Sequence, residues 1–233
     1  MFHLSFHWYP VLTLSDSPSP TRLPARRKND PEGMRQRILE AAQNEFVQQG
    51  FSGARLDDIA DQAQTNKRMV VYHFRSKKEL YIAVLERVYG EIRDIEKQLR
   101  LEGLPPREAM AMLTGFTFDY HHNHPDFCRL VSIENIHHAR HIADSDIIRQ
   151  RNRSVIEVVE GILVRGIAEQ VFHNQADAID VHMLISSLCF YRVSNRHTFA
   201  SLFGRDLTLP EHASRHRQII IDTVLAYLQH PPA

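Results

Sequence analysis

Two pairs of adjacent cations, Lys67-Arg68 and Lys77-Lys78, stand on either side of a short apolar and aromatic run from Met69 to Phe74. Residues of this kind at this spacing suit a polyanion. Lysine and arginine meet phosphates or base edges, and exposed rings or methyl groups pack in a groove. Asn66 precedes the first pair and is suited to cap a helix, which puts Lys67 and Arg68 in the first turn, where recognition helices present side chains to bases. Cations there oppose the helix dipole, so the placement makes physical sense beside a polyanion. On this reading Lys67, Arg68, Val71 and Tyr72 face bases or groove, and Arg55, His73 and Lys77 face phosphate. Tyr72 is open to either role, groove contact or domain core.

A second chemistry is suggested by the 15 histidines. His137 and His141 are spaced i, i+4, and His121, His122 and His124 are close in sequence. No acid or cysteine accompanies them at the spacing of structural zinc, so surface or core histidines are the favoured reading. A metal (zinc)-responsive regulator or a His-dependent metalloenzyme is the alternative. For an enzyme the chain lacks a constellation: Glu134 and Asp146 form no evident acid/base pair, Ser132 and Ser154 sit in no nucleophile elbow, and no glycine-rich phosphate loop points to a cofactor.

The elements that must position the cations can be read from periodicity. Leu56, Ile59, Ala60 and Ala63 fall at i, i+3, i+4 and i+7, one face of a two-turn helix. A polar turn from Gln64 to Asn66 leads to the basic helix, and Ser76-Lys77-Lys78-Glu79 forms a capping box that opens a third. Helix, tight turn, basic helix is helix-turn-helix spacing.

Over residues 35–85 this pattern resembles the N-terminal DNA-binding domain of the tetracycline-repressor (TetR) family, in the segments DDIADQA, NKRMVVYHF and SKKEL. The resemblance implies an all-helical, dimeric, one-component regulator, more often repressor than activator, with an effector pocket in its C-terminal domain. Three positions depart from the family pattern. Gln64 replaces the usual turn glycine and costs ~1 kcal/mol if its φ is positive. Arg55 replaces a small capping hydroxyl, and Val71 replaces a frequent aromatic.

The whole chain of 233 residues carries 28 Lys and Arg against 28 Asp and Glu, with 43% hydrophobic content. Between Arg22 and Lys78, however, twelve Lys or Arg face seven Asp or Glu, so a basic reading head sits on a net acidic body. Cys128 and Cys189 lie within apolar helical patterns and are expected as buried free thiols in a reducing cytoplasm. Met1 to Leu14 is apolar but without Lys or Arg, and is read as neither signal peptide nor membrane span. With the Ser- and Pro-rich stretch that follows, residues 1–29 are expected as a disordered extension, its Arg26-Arg27-Lys28 either a phosphate-reaching arm or a solvated tail.

Asp30-Pro31 is the expected start of the first ordered helix and Gly50 its stop, giving a helix-turn-helix domain at 30–78 and a helical effector-binding and dimerisation domain at 79–233. The helix opening at Lys77 is expected to reach Gly103, roughly 35 Å at ~1.5 Å per residue. Body helices are expected at 107–122, 125–138, 144–169, 176–203 and 211–229, an all-α architecture. The stripe Val181, Leu184, Ile185, Leu188, Ile220, Ile221, Val224, Leu225 and Leu228 reads as intrachain core by pattern and as a four-helix dimer interface by the resemblance. Phe116, Tyr120, His121, Phe127, Asn135, His137, Tyr191 and Asn195 are the expected lining of a pocket for a small organic effector. The partners expected are double-stranded DNA, a second copy of the chain and that effector, with no membrane.

Overall fold

The computed structural model describes residues 30–230. Its helices are α1 (Pro31–Gly53), α2 (Leu56–Gln62), α3 (Lys67–Phe74), α4 (Lys77–Glu96), α5 (Pro106–Asn123), α6 (Pro125–Ile136), α7 (Asp146–Ala168), α8 (Ala178–Ser194), α9 (Arg196–Phe203) and α10 (Pro210–Gln229). No strand occurs among the described residues. The expected tail at residues 1–29, with its basic Arg26-Arg27-Lys28, lies outside them. Residues 32–230 pack as one compact unit.

Side-chain caps open α3, α4, α7 and α8. Asn66 accepts from the backbone N–H of Met69 at 3.1 Å to open α3, and Ser76 accepts from Glu79 at 3.1 Å to open α4. Asp177 accepts from Ile179 and Asp180 to open α8. Each cap satisfies donors that a helix start leaves unpaired. Gly50 breaks α1 with φ 67°, and a last turn runs on to Gly53.

Three expected helices are shorter than their apolar patterns. α4 stops at Glu96, and two 3-10 turns, Lys97–Leu99 and Leu101–Gly103, follow around Arg100, which is left-handed at φ 49°. The turn brings Leu101 into the core, and the carbonyls of Leu104 and Leu101 are met by Arg165 at 2.6 and 3.0 Å. α6 ends at Ile136 instead of 138, because His138 and Ala139 adopt φ 58° and 55°. The expected helix over 176–203 is two helices, broken at Asn195, whose side chain bonds to Ser194 at 2.8 Å.

Two hydrophobic clusters organise the packing. The first holds Ile38 and Phe46 of α1, Ile59 of α2, Val70 and Phe74 of α3 and Leu80, Val84 and Leu85 of α4, and continues into the body through Tyr120, Phe127 and Leu130. The expected boundary at residues 78 and 79 therefore falls inside a continuous helix and a continuous core. The second cluster joins α5, α7, α8 and α10.

Val181, Ile185, Ile220, Ile221, Val224, Leu225 and Leu228 are buried in that second cluster, with Leu184 and Leu188 packed against it. Within the chain these side chains pack as the pattern reading expects. The apolar surface left on α8 and α10 is instead Ile179, Met183, Tyr191 and Ile219.

Candidate nucleic-acid interface and effector region

α2 and α3 are joined by a turn in which Gln64 has φ 53°, while the N–H of Thr65 donates to the carbonyl of Ala60 at 2.9 Å. This bond closes the end of α2 in the manner that normally favours glycine. Gln64 therefore occupies the left-handed region and carries the expected strain.

α3 buries Val70 and Phe74 and turns its other side out. Tyr72 is 74% exposed, Val71 is exposed, and Arg68 lies on the surface. Tyr72 is therefore a surface ring, not a core residue, and stands beside His73 at 5.2 Å. Lys67 is on the same helix but is held 3.0 Å from Asp57 of α2. Arg55 occupies the N-cap of α2 without a side-chain cap bond. Its backbone N–H donates to Glu45 at 3.4 Å, which also accepts from Gln62 at 3.1 Å. Its guanidinium is exposed and 4.0 Å from Asp58.

Two residues expected at phosphate also make contacts within the protein. Lys77 donates to the carbonyl of Ser52 at 3.3 Å and lies over the Phe51 ring at 5.0 Å; burial lowers its pKa, only partly opposed by Glu45. His73 lines a cleft with Arg35, Phe74, Arg75 and Glu79, and its Nε2 is buried without a hydrogen bond. Both packings follow from α3 and α4 leaning on α1, which hydrophobic spacing does not reveal. Lys78, the second cation of the Lys77-Lys78 pair, meets Asp144 at 2.7 Å.

In the body, Phe116, Tyr120, His121 and Phe127 do come together. Tyr120 meets Phe116 at 6.0 Å and Phe127 at 5.8 Å, and His121 stacks on Phe127 at 5.6 Å. Tyr89 and Phe190 complete the set, edge-on to Phe127 and His121. Burial, then the charge of Arg93, pushes the His121 pKa down to about 4. The other four expected residues do not join them. Asn135 is exposed and bonds back to Val131, His137 caps α6, Tyr191 is exposed, and Asn195 sits at the α8/α9 break. Tyr89 and Phe190, which no expectation named, are brought to this cluster by α4 and α8.

Among the described residues, no group of three His, Cys, Asp or Glu side chains is placed to hold a metal ion. His137 and His141 share no helix face, because α6 ends before either. His141 instead donates to Glu134 at 2.9 Å. Cys128 and Cys189 are buried free thiols, each pushed up to about 12 by burial. No helix among the described residues is long and apolar enough to cross a membrane.

A capped basic helix presented beside a positioning helix, on an all-helical body, is a helix-turn-helix architecture of the kind found in transcriptional regulators. Residues 38–84 match the family described as bacterial regulatory proteins, tetR family, and residues 106–224 match the tetracyclin repressor-like C-terminal domain. The chain belongs to the TetR family. It is 34% identical to the HTH-type transcriptional repressor NicS of Pseudomonas putida over 187 residues, 80% of this chain and 88% of that one. Among solved structures, the transcriptional regulator SCO4942 from Streptomyces coelicolor superposes with TM-score 0.63 at 25% identity, over 85% of this chain and 99% of that one. The regulator FadR from Bacillus subtilis, solved in complex with stearoyl-CoA, shares the fold at TM-score 0.58 and 14% identity, over 80% and 97% of the two chains. Nothing in these relationships supports the metal-responsive or metalloenzyme alternative.

Proposed function

We propose that this chain is a homodimeric repressor acting in the cytoplasm on a palindromic operator and released from it by a small organic effector. The observation that carries this reading is the outward face of α3, where Arg68, Val71 and Tyr72 are exposed on a helix whose opposite side is anchored by Val70 and Phe74. Arg68 and Lys67 supply hydrogen bonds to base edges or phosphate, Val71 an apolar contact of the kind a thymine methyl accepts, and Tyr72 a ring at the groove wall. Arg55 is the phosphate contact from α2. One short helix gives little affinity, and two half-sites ~34 to 36 Å apart supply the rest. The exposed Ile179, Met183, Tyr191 and Ile219 on α8 and α10 are the surface for the second copy.

In this reading residues 30–78 act as reading head and 79–233 as effector and dimerisation body. The common core running from α1 into α5 and α6 lets an occupant of the body alter the spacing of the heads, with a coupling of ~1 to 3 kcal/mol. The neighbour solved with stearoyl-CoA supports a ligand-responsive body in this architecture. The decisive experiment selects bound fragments from genomic DNA and measures sedimentation of the free protein. Enrichment of an inverted repeat by a dimer is the expected result; a monomer that enriches no sequence at low salt overturns the reading.

A further inference from the structure

A cleft of about 380 Å³ opens on the seam where α1 meets α6, the end of α8 and the start of α9. Its size falls within the ~300 to 1,000 Å³ typical of small-molecule sites. None of the aromatic residues gathered around Tyr120 and Phe127 lines it. The buried Val47, Cys128 and Val193 form an apolar floor, and the more accessible Asp126, Arg129 and Arg196 bring charge of both signs.

These charges do not neutralise one another. Asp126 and Arg129 are three residues apart on α6, a spacing at which helical ion pairs form. Arg129 turns instead to α1, donating from Nε to the carbonyl of Val47 and from Nη2 to that of Gln48 at 3.4 Å. Arg196 donates from Nε to the imidazole of His197 at 3.2 Å. Asp206, the acid whose carboxylate feels the charge of Arg196, accepts from Thr208 at 2.8 and 2.7 Å. Asp126 itself forms neither ion pair nor side-chain hydrogen bond among the described residues. One carboxylate and the outer edges of two guanidiniums are thus left facing one cleft.

We propose that this seam binds a zwitterion whose opposite charges are separated by a short aliphatic chain, an ω-amino acid by chemical class. Its carboxylate meets Arg129 and Arg196, its ammonium meets Asp126, and its methylenes lie over Val47, Cys128 and Val193. Planar guanidinium edges match a carboxylate, and each contact is charge-assisted. The same arrangement disfavours simpler ions: a lone anion is repelled by Asp126 and a lone cation by the two arginines. Val47 belongs to α1 and the charged groups to α6 and α9, so an occupant bridges the helices that Arg129 already joins. This site is additional to any effector site within the body and does not rest on the repressor reading.

The test uses the full-length protein without DNA, titration calorimetry, and the series 4-aminobutyrate, 5-aminovalerate and 6-aminohexanoate, with hexanoate and hexylamine as single-charge controls. At least one ω-amino acid is expected to bind, with both controls at least about tenfold weaker. Asp126→Asn should weaken the ω-amino acid about tenfold or more while tightening hexanoate, and Arg196→Gln should weaken it while tightening hexylamine. Those opposite shifts separate a lost charge contact from a damaged cleft, which weakens every probe alike. Circular dichroism checks folding, and if one variant does not fold the other carries the test. Absence of binding across the series, equal binding of the single-charge controls, affinity unchanged in both variants, or weakening of all probes together overturns the inference.

Discussion

The imidazole of His141 donates from Nδ1 to the carboxylate of Glu134 across 2.9 Å, with both side chains almost wholly out of solvent. The same carboxylate accepts the backbone N–H groups of His141 and Ile142 at 2.7 and 3.1 Å. Burial alone would raise the Glu134 pKa, but these hydrogen bonds outweigh it and hold the group below its ordinary value. The His141 ring lies 4.4 Å from Phe51 and 4.9 Å from Tyr81, so one acid pins the end of α6 to α1 and α4. Glu134→Ala is expected to remove ~3 to 5 kcal/mol of stability, the effect of breaking a buried pair. Glu134→Gln, which keeps an acceptor oxygen, should lose less. Urea denaturation midpoints decide it, and a loss under ~1 kcal/mol for the alanine variant would show that the contact is not an anchor.

His121 makes stability depend on pH in a defined window. Its folded pKa of about 4 lies below the ordinary histidine value of 6.5, so the unfolded chain takes up a proton first as pH falls. Stability is unaffected by this group above pH ~6.5 and declines from there toward pH ~4, by up to ~3 kcal/mol. His121→Phe should flatten that part of the profile, measured as unfolding free energy at pH 7.5 and at pH 5. An identical slope in the variant would assign the dependence to other groups.

Gln64 holds φ 53° between α2 and α3. Gln64→Gly is therefore expected to stabilise the protein by ~0.5 to 1 kcal/mol, an uncommon direction for a glycine substitution. A rise in denaturation midpoint with unchanged slope is the signature; a fall would mean that the side chain contributes more than its backbone costs.

Arg68→Ala should relax discrimination at one base pair by ~1 to 3 kcal/mol while leaving the fold intact. Scoring the variant against a randomised operator library reads this directly. Uniform weakening over all sequences would move Arg68 from the base edges to the phosphates.

The reading head was legible because its signals are local. Asn66 and Ser76 cap within three residues, Leu56 to Ala63 repeat on a helical period, and the departure at Gln64 announced its own strain. What escaped depends on contacts between elements distant in sequence. Nothing near Lys77 reveals that Ser52 and Phe51 will meet it, and nothing near His73 shows the cleft that encloses it. The break of α4 after Glu96 was equally hidden, since the residues up to Gly103 keep helical composition while Arg165, more than sixty positions away, takes up the carbonyls of Leu101 and Leu104. In the body the aromatic residues picked on α5 and α6 converge, whereas Asn135, His137, Tyr191 and Asn195 face other surroundings, because a ring or amide on a helix does not by itself say which face is covered.

Two lysines of the head already have counter-ions, Asp57 of α2 3.0 Å from Lys67 and Asp144 of the body 2.7 Å from Lys78. Any duplex that engages either lysine must first detach an aspartate, which then remains as a negative charge close to the phosphates. On the proposed reading each exposed pair takes at most ~1 kcal/mol from the hold on arbitrary sequence, which matters when wrong sites outnumber right ones by ~10⁶ or more. Residence at an operator would on that reading depend on Arg68, Val71 and Tyr72 of α3, whose contacts displace no resident counter-ion.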